Sequence, residues 1–492
     1  MEQLPEVVET LLSLAKRERG VDQVEAYVSR NTMTSARVET LRPTKGTKVG
    51  PFGQQLMTLQ NWEASVKVVI NKAVGVFSTN YMTKAALQRA VDMAVRNARA
   101  MAPDPDFVSL AKPSGKTPTS LPPDQHILKG DAGPTLVDQV EAATALIDEK
   151  DLDLAGSVMT VAAEVCMANT NGVSIDGTAD TFTVAALTAE RIDGPNVISS
   201  GVGWSSSRKI KDLDACIAAK DALEWGRLKP ELKTAPPGDY NVILGPYAVA
   251  DLFDNMLSPA LSLDRIYYGW SWLPSDMTAL PSGKKVRMPK FGGKIATEAV
   301  TITDDPTMKT AMGSRTYDDE GLPTYRKTLI ENGELKQVLS SSYYANLYSK
   351  EPTASGFRYG LRPGRLASCE PSSYPTNLCM KPGDRSYEEL IEESKGPTLV
   401  IPRTWYTYPT RYGGTGFSSS NRSTCFLIEK GKSIPVAPNA FKISGDVSKF
   451  LNGVQAVGKD IKVATTWAAA SAFMVPYVLS SGYRVEEPQE QK

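Results

Sequence analysis

Histidine is almost absent from this 492-residue sequence, which contains a single one, His126. Catalytic zinc sites usually take more than one imidazole ligand, and a Ser–His or Cys–His nucleophile needs a histidine as its base. His126 lies in a proline-rich stretch, where an exposed position is the ordinary expectation. The sequence therefore argues against a histidine-ligated metal and a histidine-activated nucleophile, and we expect no metal and no other cofactor.

Cysteine is also scarce, and no two cysteines form a Cys-x-x-Cys motif. This spacing excludes a zinc ribbon and a thioredoxin-like redox site. A reactive thiol needs positive charge nearby, yet no cysteine has a basic residue directly beside it. A thiol-based site is therefore kept only as an alternative. The cysteines are Cys166, Cys216, Cys369, Cys379 and Cys425.

The chain lacks an excess of either charge and any long apolar run. Lys+Arg and Asp+Glu both number 55, so no general field attracts nucleic acid or an anionic membrane. The most apolar late segment, residues 465–479, is too short to span a bilayer and is interrupted by Pro476. The acidic, amphipathic N-terminus is unlike a signal peptide. We therefore expect a cytoplasmic protein that binds neither nucleic acid nor membrane.

The pattern of apolar residues predicts an α+β protein, with an N-terminal α/β region followed by a C-terminal domain rich in antiparallel sheet. Proline-rich stretches divide the chain into four predicted parts. They are an N-terminal α/β domain (1–103), a Pro-rich connector (104–134), a middle α+β region (135–236) and a C-terminal, mainly antiparallel β domain (237–492).

Local patterns predict individual elements within these parts. Thr83 is placed to cap a helix with an apolar stripe from Leu87 to Ala98, and the preceding residues 73–83 are interpreted as a loop. Asn332-Gly333 predicts a hairpin turn. Strands are predicted at residues 294–302, 323–331 and 334–342.

The most informative stretch is GDYNVILGPYAVADLFDNMLSP, at residues 238–259. It predicts a buried strand, a Gly-Pro turn and an apolar helix, and the first turn of such a helix presents free N–H groups and a positive dipole end. The polar side chains that this helix offers are Asp254, Asn255 and Ser258. Pro259 is expected to disfavour a helical conformation at Ser258. The stretch is typical of an active-site platform, yet it has no obvious catalytic ligands.

Acidic clusters are candidates for Mg²⁺ or Ca²⁺ ligands. They are Asp304-Asp305 and Asp318-Asp319-Glu320, and each adjoins a turn-forming residue, so turn chemistry with solvated charge is the favoured interpretation. A nearby glycine-containing segment has three arginines that could bind a carboxylate or phosphate, although a solvated basic loop is favoured there. These arginines are Arg358, Arg362 and Arg365.

A series of short segments, in this order and spacing, resembles the TldD/PmbA family of peptidase-related proteins along nearly the full chain. The segments are GVFSTN (75–80), ANTNGVS (168–174), DGP (193–195), YDDEGLPT (317–324), LIENGEL (329–335), NLCMKPGDRSYEELI (377–391), FLIEKGKSIPV (426–436), ISGDVSKFL (443–451) and VGKDI (457–461).

The resemblance implies that catalytic subunits of the family have a His-Glu-x-x-x-His element after the Gly-Pro turn and a cysteine ligand near the C-terminus. In this sequence these positions are degenerate: Asp254 stands in place of the first histidine, Asn255 in place of the glutamate and Pro259 in place of the second histidine. Residues 462–485 contain no cysteine. The chain therefore resembles the non-catalytic, PmbA-type subunit, which implies no catalytic and no metal-binding residues.

The same resemblance implies a heterodimer with a catalytic, TldD-like zinc metallopeptidase subunit that acts on unfolded or modified peptides. The present chain would shape the cleft and bind the substrate backbone, since added strand edges can bind extended peptides with little sequence dependence. Asp318, Glu320 and Arg358 are the candidate residues of the substrate cleft.

Two alternatives remain open from the sequence. One is an independent hydrolase whose site uses carboxylates such as Asp254, Asp318 or Asp319, or a thiol. The other is a homodimeric peptide-binding module without enzymatic activity. Under the heterodimer interpretation, too, the isolated chain is a candidate homodimer. A paired catalytic homologue would favour the heterodimer.

Overall fold

The fold combines helices with two large, mainly antiparallel sheets, which confirms the α+β class predicted from the sequence. The computed structural model describes residues 3–40, 52–149, 151–193, 196–360, 363–438, 441–465 and 471–486. None of the helices in these ranges is both long enough and apolar enough to cross a membrane.

The N-terminal sheet has long strands, since five of its six strands have between 12 and 20 residues. Its strands are β1 (Gln23–Thr40), β2 (Phe52–Ile70), β3 (Ala73–Thr79), β4 (Leu152–Asn169), β5 (Ser174–Asp193) and β6 (Asn196–Ser207). They lie in the order β3-β2-β1-β4-β5-β6, and each neighbouring pair is antiparallel.

Helices cover the apolar side of this sheet. They are α1 (Gln3–Lys16), α2 (Lys84–Ala100), α3 (Gln125–Lys129), α4 (Gly133–Thr144) and α5 (Ala215–Gly226), with a 3₁₀ turn at Ile210–Asp212. The prediction for α2 is confirmed: the Thr83 hydroxyl accepts the N–H of Ala86 at the N-cap, and the predicted stripe from Leu87 to Ala98 is buried.

The predicted loop before α2 is wrong, since β3 occupies most of it. Gly75 explains why the strand fits there, because a Cβ at this position would lie 2.1 Å from the carbonyl oxygen of Ala94 in α2. A glycine in an alternating pattern usually marks such a close approach of backbones. Because Gly75 has no side chain, the sequence pattern indicated a strand only weakly. The same absence allows β3 and α2 to pack closely together.

Strands of residues 1–103 and of residues 135–236 belong to the same sheet, because β1 pairs with β4 along most of its length. The four-part domain division stays a prediction. His126 lies in α3 and is exposed, as expected for the proline-rich stretch.

The second sheet contains 13 strands among the described residues. They are β7 (Gly238–Leu244), β10 (Ile302–Asp304), β11 (Lys327–Glu331), β12 (Glu334–Leu335), β15 (Asn377–Met380), β16 (Thr398–Ile401), β17 (Thr404–Pro409), β18 (Gly416–Asn421), β19 (Cys425–Glu429), β20 (Lys432–Val436), β21 (Lys442–Asp446), β22 (Ala456–Thr465) and β23 (Ala472–Val485). Smaller hairpins join β8 (Ser275–Ala279) to β9 (Lys285–Pro289) and β13 (Gly356–Phe357) to β14 (Ser372–Ser373).

The main path of this sheet is β12-β11-β10-β15-β23-β7-β16-β19-β20, so the predicted strand after residue 237 lies near its centre. Two contacts along the path, β15 with β23 and β7 with β16, are parallel, and the other described pairs are antiparallel. The remaining helices are α6 (Pro246–Leu252), α7 (Ser258–Ala260), α8 (Leu263–Tyr267), α9 (Ser342–Leu347), α10 (Tyr387–Glu393) and α11 (Val447–Asn452).

The Asn332-Gly333 hairpin is confirmed, but the strands around it are shorter than predicted. Residues 294–301 form no strand; the N–H of Ile295 donates to the Gly333 carbonyl (2.8 Å), and the N–H of Gly333 donates to the Val300 carbonyl (2.8 Å). This segment therefore wraps around the hairpin tip, and its backbone groups are satisfied without a regular ladder.

The charges expected to be solvated are buried, so this interpretation was wrong for the acidic cluster at 318–320 and for two of the arginines. The side chain of Asp319 accepts hydrogen bonds from Tyr27 and from Arg365 (2.5 Å), and Arg365 also pairs with Asp180 (2.8 Å). Arg358 pairs with Glu25 at 2.8 Å. Opposite charges are brought together by distant parts of the chain, which local sequence patterns cannot show.

The turn chemistry expected of these carboxylates is present despite their burial. Asp318 accepts the N–H groups of Glu320 (3.1 Å) and Leu322 (2.9 Å), as an Asx turn does. Asp304 is also fully buried and pairs with Lys327 at 2.9 Å. The third arginine of the segment, Arg362, lies outside the described residues.

Replacing Arg365 by Met should destabilise the protein by about 3–5 kcal/mol, because the buried Asp319 would lose its ion-pair partner and the buried Asp180 would lose the nearest of its three. The measurement is equilibrium unfolding in urea followed by far-UV circular dichroism. Arg385→Met is the control, since Arg385 makes its ion pairs at the surface and should leave the midpoint unchanged. Equal midpoints for the two variants would show that the buried pairs do not stabilise the fold.

Candidate functional site

A cavity of about 710 Å³ lies between the N-terminal sheet and the helix that follows β7. Residues of β4, β5 and β6 form one wall, and α6, the segment after it, β17 and β22 form the other. Its volume falls within the range of about 300–1,000 Å³ that is common for small-ligand sites. This cavity is the candidate functional site.

Asp254 and Asn255 line the cavity, so two of the predicted degenerate positions face one space. They lie in a π-helical segment, Phe253–Leu257, that continues α6. Pro259 follows in α7 and is not among the described lining residues. Segments of π-helix are rare and often occur at functional sites.

The expectation that Pro259 would keep Ser258 out of a helical conformation is wrong, because Ser258 has φ −57° and ψ −45°. The N–H of Ser258 instead donates to the carbonyl of Phe253, one residue farther back than in an α-helix. A proline ring clashes with the carbonyl four residues before it in a regular helix, and a wider turn relieves that clash. The π-helical segment therefore accommodates Pro259.

Asp251, one turn before Asn255, has a carboxylate that is occupied by internal hydrogen bonds. Its Oδ2 accepts from the hydroxyls of Thr404 (2.8 Å) and Thr407. The amide of Asn255 donates to Oδ1 (3.1 Å) and to the main-chain carbonyl (2.9 Å) of Asp251. The side chain of Asn255 is therefore bonded within its own helix. An amide also has no basic group with which to activate water.

Asp254 is half-buried, and no residue in the described part of the chain donates a hydrogen bond to its carboxyl group. Burial, together with the negative charge of Asp251, raises the pKa of Asp254 to about 7. Near neutral pH this carboxyl is therefore divided between its neutral and charged forms. It can donate or accept a hydrogen bond inside the cavity.

Arg403 supplies a buried positive charge to the same cavity. Its guanidinium carbon lies 5.0 Å from the ring centroid of Trp204 and 4.2 Å from that of Trp405, so cation–π contacts hold it. Burial lowers the pKa of Arg403 to about 9, and the nearby Asp251 opposes that effect. The arginine nevertheless stays charged near neutral pH.

A bulge in β17 directs aromatic side chains into the cavity. The register with β18 shifts between Trp405 and Tyr408, and Tyr406 between them has a left-handed φ of 57°. A regular strand would point Trp405 and Tyr406 to opposite faces, whereas all three rings line the cavity here. Sequence reasoning missed this wall; the signal was an arginine followed by closely spaced aromatic residues at 403–408.

The structure does not bring Asp318, Glu320 and Arg358 to this cavity, since none is among its lining residues and all are buried elsewhere. Glu320 accepts the N–H of Ser342 at 2.6 Å, and burial raises the pKa of Glu320 to about 7. Their role in a substrate cleft stays a prediction.

Metal and thiol chemistry find little support in the described ranges. No group of three or more His, Cys, Asp or Glu side chains placed to hold a metal ion occurs there. The cysteines are free thiols, and burial raises the pKa of both Cys379 and Cys425, which disfavours the reactive thiolate.

Replacing Asp254 by Asn should stabilise the protein relative to the wild type, and more so at pH 8 than at pH 5. The raised pKa means that the folded state binds the proton more tightly than the unfolded state, so wild-type stability falls as pH rises towards 7. Between pH 5 and pH 8 the stability gain of the variant should increase by about 1–2 kcal/mol. This is less than the full pKa difference would give, because water in the cavity screens part of the effect.

Urea unfolding at both pH values measures this gain, and Asp239→Asn is the control, because that side chain is 81% exposed. A gain from Asp254→Asn that is the same at both pH values would contradict the raised pKa.

Comparison with known proteins shows what the chain is similar to. Residues 237–487 match the family model for the PmbA/TldA metallopeptidase C-terminal domain. A metalloprotease of Methanocaldococcus jannaschii is 30% identical over 277 residues, which cover 56% of this chain and 55% of that protein. A zinc metalloprotease TldD homolog of Saccharolobus solfataricus is 27% identical over 300 residues, or 59% of each chain. The chain thus spans little more than half the length of the curated relatives that it matches.

The fold of the whole chain is similar to the crystal structure of TldE from Thermococcus kodakarensis. The TM-score is 0.78 at 21% sequence identity, and the match covers 98% of this chain and 100% of that one. Because the family model covers more than half of the sequence, the chain belongs to the PmbA/TldD family of metallopeptidase-related proteins.

Proposed function

We propose that this chain is the metal-free, non-catalytic subunit, of the PmbA (TldE) type, in a cytoplasmic zinc metallopeptidase heterodimer. Its partner would be a catalytic, TldD-like subunit. The chain would shape the cleft and bind unfolded or modified peptides through backbone contacts. The observation that carries this proposal is a cavity whose wall presents Asp254 and Asn255. The family resemblance places a histidine and a glutamate at these positions in catalytic subunits.

The chemistry of the cavity wall supports a role without catalysis. A catalytic zinc usually needs three protein ligands and a water, and the chain has one histidine, which lies in α3 away from the cavity. A general base is also missing at Asn255, whose amide is bonded to Asp251.

The sheet beside the cavity supports peptide binding. Among the described strands, β17 pairs only with β18, so its other edge is unpaired where it borders the cavity. An extended peptide can add to such an edge through main-chain hydrogen bonds, which depend little on sequence. The aromatic side chains of β17 would then contact the peptide's side chains.

Co-expression with a homologue that has the His-Glu-x-x-x-His element tests this proposal. The two chains should co-elute as a complex in size-exclusion chromatography, with an interface above ~2,000 Å², as is usual for obligate pairs. The complex should cleave an unfolded peptide in a zinc-dependent reaction, whereas the isolated chain should not. A matched complex whose partner has the motif glutamate changed to Gln should form but should not cleave.

Different failures of this experiment favour different alternatives. Cleavage by the isolated chain would favour an independent hydrolase with a carboxylate- or thiol-based site. A self-associated chain that binds peptide and ignores the homologue would favour the homodimeric peptide-binding module.

A further inference from the structure

Arg403 is a buried cation without an anionic partner in the described part of the chain. The residue is only 8% exposed, yet no described carboxylate oxygen lies within 4.0 Å of its guanidinium, and no described acceptor takes a hydrogen bond from it. Burying a charge without such a partner is costly. The side chain also lines the cavity, so a ligand there can reach it.

Asp251 is the acidic residue whose charge most favours the charged form of Arg403, but its oxygens are already used. They accept hydrogen bonds from Thr404, Thr407 and Asn255. The guanidinium is instead held on the faces of Trp204 and Trp405. Cation–π contacts of this kind leave the N–H groups of a guanidinium able to bind a planar anion.

The rest of the cavity indicates which anion fits. Asp251 and Asp254 line the same space, so a doubly charged phosphate would meet two carboxyl groups and only one guanidinium there. A carboxylate has a single charge and matches one arginine. Beside Arg403 the wall is aromatic and apolar, with Trp204, Trp405 and Met159, which suits an apolar side chain next to that carboxylate.

We infer that Arg403 binds the C-terminal carboxylate of a peptide in this cavity, with the apolar side chain of the last residue against Trp204 and Trp405. This inference rests on the proposed peptide-binding function. It adds the direction in which the peptide chain runs, since the C-terminus of the bound peptide would lie at Arg403. Carboxylates on peptide side chains share this chemistry, and the experiment must separate the two sources.

The test measures binding of short peptides to the isolated full chain by titration calorimetry. The probes are N-acetyl-Ala-Ala-Leu with a free carboxylate, the same peptide as its C-terminal amide, and N-acetyl-Ala-Glu-Leu amide. We expect the free acid to bind roughly 10- to 100-fold more tightly than either amide, as a hydrogen-bonded charge pair would give. This comparison uses the wild-type protein, so it does not depend on how a variant folds.

Variants then assign the effect to Arg403. Arg403→Gln should bind the free acid and its amide equally, Arg403→Lys should keep part of the preference, and the surface control Arg385→Gln should keep all of it. Equal binding of acid and amide by the wild type, or a full preference in folded Arg403→Gln, would overturn the inference. Equal binding of the free acid and the glutamate-containing amide would overturn the assignment to the peptide terminus.

These outcomes are distinguishable from failure of the proposed function. Acid-selective binding in a chain that does not pair with the catalytic homologue supports this inference and overturns the heterodimer alone. Pairing and zinc-dependent cleavage by a complex whose present chain shows no acid preference would overturn this inference alone.

Discussion

Asp319 is fully buried where the N-terminal sheet meets the C-terminal part, and its carboxylate accepts hydrogen bonds from both sides. Tyr27 donates from β1, while Arg365 (2.5 Å) and the N–H of Arg358 (2.7 Å) donate from the C-terminal part. Arg365 then reaches Asp180 in β5. The cavity walls come from these same two parts, so the shape of the cavity depends on how this buried cluster joins them.

The helix after β7 brings polar side chains of different chemistry to one wall of the cavity. Its π-helical turn and the bulged strand β17 both border the cavity, and the polar groups that line it include a carboxyl, an amide and an arginine. An amide bonded within its own helix and a carboxyl with a pKa of about 7 are suited to holding a ligand by hydrogen bonds. Of these two groups, the amide alone lacks a basic atom with which to activate water.

Sequence reasoning predicted the elements whose signals are local. The cap and apolar stripe of α2, the Asn332-Gly333 hairpin and the strand–turn–helix at β7 and α6 follow from spacing of three to five residues. Asp254 and Asn255 were singled out by the local pattern and again by the family resemblance, and both line the cavity.

What sequence reasoning missed depends on contacts between distant residues. The partners of Arg365 lie 46 and 185 positions away, so nothing local distinguished it from a solvated arginine. Gly75 could not be interpreted without the helix that packs on it, and the role of Arg403 depends on Trp204, which belongs to the other sheet. Burial and charge pairing are properties of the assembled fold.

Titration of Zn²⁺ into the purified chain tests the central claim most directly, which is that the cavity beside the helix after β7 has no metal site. The protein should be prepared without a histidine tag, in metal-free buffer, and followed by calorimetry with elemental analysis of the product. The account predicts no tight, stoichiometric binding, because the chain contains one histidine and it lies outside the cavity wall. One tightly bound zinc per chain would contradict it.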